Sequence, residues 1–327
     1  MNNDVQTTVG SDFKDRTTGL ILFGIIEILI GMCFALQIPL MIFGMRASTS
    51  HLDARTMIPN VLTSVILAAW FIWLGVGSIQ AKRWARALLL VTSWIWLISG
   101  IASLPVIVAI FPGMFEQLGK SGQMPQQILT TMKYTMIGFM VVFYIIVPGV
   151  FVLFYGSKHT KLTCEKRDPH VRWTDKCPLP VLAFSLISAF SALSMLCMGF
   201  YGWTFPFFGS ILSGIAGAGV ALIGALLLLY AAWGMYRLKI NAWWCAILLT
   251  ITWGVSGGIT YSHGIPKEFF EKMNISAQQL EMTRQLMLSH SSLIVLYFGL
   301  LIVIALAYLL YIRKYFVQPT EQRSVSQ

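Results

Sequence analysis

The chain has 327 residues, 57% of them hydrophobic and 11% charged, with a mean hydropathy of +0.73. Soluble domains carry roughly 25% charged residues, so this composition excludes an ordinary soluble enzyme and indicates an integral membrane protein. The formal net charge of +10 would suit nucleic acid, but its placement along the chain follows membrane topology instead.

A span needs about 20 mostly apolar residues. Eight stretches qualify: 19–44, 58–80, 85–111, 134–156, 180–200, 211–236, 242–262 and 291–312. The first is too long for a cleaved signal peptide, and its polar leader carries Asp4, Asp12 and Asp15. With the N-terminus in the cytoplasm, sixteen of the 23 Lys and Arg residues fall on cytoplasmic segments. They include Lys82, Arg83 and Arg86, six in 157–179, Arg237, Lys239, Arg313 and Lys314. This positive-inside bias places both termini in the cytoplasm and suggests the plasma (inner) membrane. The basic charge then serves topology and anionic lipid, and no nucleic-acid partner is expected.

The predicted elements recur in order. At an offset of 157, Gly77/Gly234, Lys82/Lys239, Ala85/Ala242, Trp96/Trp253, Ser99/Ser256 and Gly100/Gly257 coincide. A Phe-Glu pair (115–116, 270–271), a Gln-Gln pair (126–127, 278–279) and a last apolar span follow in both copies. The expected fold is therefore all-α, eight transmembrane helices as two tandem parallel four-helix repeats. The organisation reads as a cytoplasmic tail (1–18), a first repeat (19–156), a basic cytoplasmic linker (157–179), a second repeat (180–315) and a tail (316–327). The shared residues Trp96, Ser99, Gly100, Trp253, Ser256 and Gly257 suggest that the third and seventh spans pack near the repeat axis.

Each repeat carries a long external loop, 112–133 and 263–290, with partly helical amphipathic spacing. The remaining external turn, 199–210, has no charge and six aromatic residues, which suits the membrane interface or a partner subunit. In the fifth span Ser185, Ser188, Ser191 and Ser194 recur every third residue. The sixth is rich in small residues, so these two helices are expected to pack closely. Pro148 should kink the fourth span.

Glu27 is the acidic residue well inside a span, and an intramembrane carboxylate is a functional candidate by default. Arg83 and Arg86 lie at the nearest depth and complete a candidate intramembrane polar site. Gly254-Val255-Ser256-Gly257 matches the G-x-S-G string of rhomboid-type intramembrane proteases, with His290 as a base. The string is four residues long in a Gly/Ser-rich span, and no other part of that pattern is present. His159, Cys164, His170 and Cys177 lack the tight pairs of a structural zinc site. Asn274-Ile275-Ser276 fits the N-glycosylation string. No cofactor or metal is expected.

These features favour a non-catalytic subunit or scaffold of a membrane complex. Its partners would be the lipid bilayer and a membrane protein docked on 199–210 and the external helices. A transporter or lipid-handling protein, with a pathway between the repeats, is the alternative. An intramembrane serine protease is the remote one.

Overall fold

The structure is a computed structural model that describes residues 14–47, 54–120, 125–262 and 291–317. Eight of its helices are long and apolar enough to cross a membrane: Thr17–Phe43, Ile58–Ile79, Arg83–Pro105, Gln126–Gly156, Leu179–Tyr201, Gly214–Tyr236, Ile240–Thr260 and Val295–Phe316. The chain is thus a multi-pass, all-helical membrane protein.

The helices are α1 (Thr17–Ala47), α2 (Ala54–Ile79), α3 (Arg83–Lys120), α4 (Gln126–Val141), α5 (Val147–Gly156), α6 (Lys158–Arg167), α7 (Leu179–Cys197), α8 (Gly214–Tyr236), α9 (Ile240–Ser262), α10 (Ser291–Ile312) and the short α11 (Lys314–Val317). A π-helical turn, Val142–Ile146, joins α4 to α5. Pro148 follows it and has no N–H for the carbonyl four residues back, so the widened turn falls where the proline removes a helix hydrogen bond. The loop expected at 112–133 is largely helical, because α3 continues to Lys120 and α4 begins at Gln126. The second external loop, 263–290, lies outside the described residues. So do its Phe-Glu and Gln-Gln pairs, Asn274-Ile275-Ser276 and His290.

Contacts divide the chain into two compact units, Met1–Thr49 with Leu62–Ile98 and Phe143–Lys176, and Ser50–Val61 with Ser99–Val142 and Cys177–Gln327. In the first unit α1 packs on α2 through small residues. A Cβ added at Gly24 would lie 2.7 Å from the Gly75 carbonyl oxygen, and one at Gly75 would lie 2.7 Å from that of Gly24. One heptad further, a Cβ at Gly31 would lie 2.9 Å from the Ala68 carbonyl. The missing side chains are what let the two backbones touch, as small residues do between membrane helices. The Ser78 hydroxyl adds a 3.0 Å bond to the Leu20 carbonyl.

In the second unit α7 packs along α8, where the Ser185 hydroxyl donates to the Ala232 carbonyl at 2.6 Å. Ser194 turns instead to its own helix, bonding the Phe190 carbonyl at 3.0 Å. Around Val181, Met235 and Trp243 a core forms with Leu309 and Ile312. The Trp243 indole donates to the Leu309 carbonyl at 2.8 Å, and the Tyr308 hydroxyl to the Pro180 carbonyl at 2.8 Å. These bonds satisfy side-chain donors that the bilayer could not.

The α2–α3 and α8–α9 turns are the same turn. Lys82 N–H reaches the Gly77 carbonyl and Ala81 N–H that of Ser78; at an offset of 157, Lys239 N–H reaches Gly234 and Leu238 N–H reaches Met235. Ala81 and Leu238 hold the left-handed position at φ 51° and 56°. This is the Schellman ending of a helix. In both turns a Cβ on the glycine, Gly77 or Gly234, would collide with that of Ala85 or Ala242 eight residues on.

The aromatic turn between α7 and α8 holds a short hairpin. Residues Phe205–Phe207 (β1) and Ser210–Leu212 (β2) form an antiparallel hairpin, with Phe205 opposite Leu212 and Phe207 opposite Ser210. Phe208 and Gly209, both at positive φ (47° and 78°), make its two-residue turn. That is the twist a tight hairpin requires.

Candidate functional site

The buried face of α1 is Leu20, Gly24, Glu27 and Gly31, a stripe spaced four, three and four residues apart. Glu27 therefore sits in the seam with α2, between its two points of backbone contact, and is 0% exposed. The side chain that acts on it is Tyr155, from the last turn of α5 and also 0% exposed. Neither carboxyl oxygen has a well-formed hydrogen bond to that phenol or to any other group. Tyr155 shares a 2.7 Å hydrogen bond with the Ser78 hydroxyl. Phe23 stacks on Phe154 at 4.1 Å between ring centroids, beside Tyr155, and walls this cluster with aromatic surface.

The two arginines expected beside Glu27 stand elsewhere. Among the described residues no ion pair joins Glu27 to Arg83 or Arg86. Arg83 opens α3 and faces the segment 158–176, its guanidinium 3.3 Å from Asp175 and 3.7 Å from Glu165. Its backbone N–H donates to Asp168 Oδ2 at 3.3 Å, so a distant carboxylate caps this helix N-terminus. Arg172 grips the same carboxylate with both ends of its fork, at 2.8 and 3.0 Å. Arg86 lies in the field of Glu165 and Asp175, its Nε buried without a hydrogen bond. Three acids and three arginines thus converge where sequence reading saw only basic charge. The spacing of Glu165, Asp168 and Asp175 in a basic segment was the available signal.

This segment is folded. Ser157 caps α6 by accepting the Thr160 N–H at 3.2 Å, and Thr163 accepts the Arg16 N–H at 3.1 Å. Thr160, Thr163, Cys164 and Asp168 are buried. The Arg172 hydrogen bonds hold the Asp168 carboxyl below the usual range against the opposing effect of burial, helped by the Arg83 N–H. Burial pushes the Cys164 and Cys177 thiols up to about 11. Among the described residues no group of three or more His, Cys, Asp or Glu side chains could hold a metal ion.

Trp96 packs edge-on against Phe71, Phe143 and Phe151 in the first unit. Trp253 packs against Phe205 and Phe207 of the hairpin in the second. Ser99 is exposed and Gly100 buried, and nothing would crowd a Cβ at Gly257. Ser256, 1% exposed, accepts the Phe208 N–H at 2.9 Å. One turn on, Thr260 accepts the Gly209 N–H at 3.0 Å and donates to the Ser256 carbonyl. The serine of the G-x-S-G string is thus an anchor for the hairpin turn.

These features define a multi-pass integral membrane protein. No protein-family model, no curated protein and no solved structure matches the chain.

Proposed function

We propose that this protein is a non-catalytic subunit or scaffold of a membrane complex, with no enzymatic activity of its own. The observation that carries the reading is the bond from the Phe208 amide to Ser256. It commits the best candidate nucleophile to holding backbone. The Ser185 and Tyr308 hydroxyls and the Trp243 indole are tied to backbone too, each donating to a carbonyl. Polar groups spent on architecture leave few to line a route for polar solutes.

The partner surface in this reading is the hairpin and its neighbours, where Phe200 and Phe208 stay exposed. Aromatic side chains at a membrane surface suit either headgroups or a protein partner. The basic end, with Arg83, Arg86 and 158–176, faces the cytoplasm by the positive-inside rule. The recurrence of the Schellman turn at an offset of 157 supports descent from a duplicated four-helix unit. A photo-crosslinking amino acid at position 208, activated in native membranes, tests the partner surface. One stoichiometric protein adduct is expected; adducts with lipid alone would contradict it.

The transport reading has one observation in its favour, the enclosed Glu27 carboxyl. Carboxylates inside membrane bundles often serve ion or proton pathways.

A further inference from the structure

Three of the four buried positions on α1 suit close helix packing. The fourth, Glu27, does not, and α1 could have carried a small apolar residue there. Backbone contact closes the seam on both sides of it, at Gly24–Gly75 and at Gly31–Ala68. Among the described residues no counter-charge enters. The span Ile58–Ile79 of α2 has no charged residue, and 142–156 offers Tyr144 and Tyr155 as its titratable groups. Arg83 is ion-paired with the acids of 158–176, and Arg86 lies in the field of the same acids. An uncompensated carboxylate in such a place is far more costly than the neutral acid.

The groups around it are suited to moving a proton. Tyr155 and Ser78 are both hydroxyls, each able to donate and accept, and they stand 2.7 Å apart. Ser78 is itself buried, in the last turn of α2, two residues before the exposed Gln80. The hydroxyls therefore run from the sealed carboxyl toward the end of the helix.

We propose that Glu27 is a membrane-embedded proton-binding site, loaded and unloaded through the hydroxyls of Tyr155 and Ser78 from the end of the bundle that carries 158–176. In loading, Tyr155 gives its proton to the carboxylate and takes one from Ser78, whose hydroxyl turns from the Leu20 carbonyl to Tyr155 and is reprotonated by a hydronium ion. The net change is carboxylate plus hydronium to carboxylic acid plus water, and both hydroxyls are regenerated. No redox step or co-reactant is involved. The site stands independently of the scaffold reading, because a subunit and a transporter can each hold such a proton.

Infrared spectroscopy of the full chain in lipid nanodiscs tests it. The wild type should show a protonated-carboxyl C=O band that titrates with pH, shifts in D2O and is missing from Glu27→Gln. In Tyr155→Phe and Ser78→Ala, deuterium exchange of that band should slow by about a hundredfold, the scale of losing a proton-transfer group. If Glu27→Gln fails to fold, the shift of the band on Tyr155→Phe identifies its owner. No such band at any pH, a band that neither titrates nor exchanges, or exchange unchanged in both hydroxyl variants would each overturn the proposal.

Discussion

Asp168 caps α3 from 85 residues away: its Oδ2 accepts the backbone N–H of Arg83 while the Arg172 fork holds both carboxyl oxygens. One buried carboxylate therefore fastens the segment after the fourth span to the start of the third. Its folded-state ionisation lies below its unfolded one, chiefly through Arg172. The stabilisation is complete above the unfolded value, near pH 3.9, and is lost as pH falls through the folded value. Amide protection in 158–176, measured against the free-peptide rate at each pH, should be high at neutral pH and fall below about pH 4. Asp168→Asn should show the low protection already at neutral pH.

Gly24→Val should separate α1 from α2. Its Cβ would lie 2.7 Å from the Gly75 carbonyl, which is backbone and cannot swing aside. The expected loss is about 1–3 kcal/mol, the usual cost of overpacking. Unfolding in detergent micelles measures it, with Gly138→Ala, where nothing lies within 4 Å, as the neutral control.

Ser256→Ala should loosen the hairpin, since it strands the Phe208 amide. A buried donor left without an acceptor costs about 1–3 kcal/mol. Faster exchange at Phe208 is expected, and Thr260→Val should do the same at Gly209. A fluorophosphonate probe should label neither wild type nor variant. Labelling of the wild type that disappears in Ser256→Ala would make this serine a nucleophile.

Cys164 and Cys177 should resist alkylation. Both are buried, with thiols pushed up to about 11, and the thiolate is the reactive form. Iodoacetamide at neutral pH, followed by mass spectrometry, should modify them only after denaturation. Rapid labelling of the folded chain at Cys164 would show that the α6 cap opens.

The spans were legible because hydropathy and length suffice for helices in lipid. The Gly77–Ala85 and Gly234–Ala242 recurrence was legible too, and the structure gives it a cause in the shared Schellman turn. The hairpin was not: Phe208-Gly209 lacks the Asn-Gly or Asp-Gly signature of such turns, and the hydroxyls that fix it lie 48 and 51 residues away. Glu27 was legible as a buried acid, but not its surroundings. Depth alone suggested Arg83 and Arg86, whereas Tyr155, 128 residues along the chain, reaches it through the packing of α5 on α1. The heptad of Gly24 and Gly31 around Glu27 was the signal for that seam.

Native mass spectrometry of the protein extracted from its own membrane in mild detergent tests the scaffold reading most directly. The account predicts a complex with a protein partner of fixed stoichiometry. A lone chain that retains a defined lipid or small molecule would contradict it and favour transport.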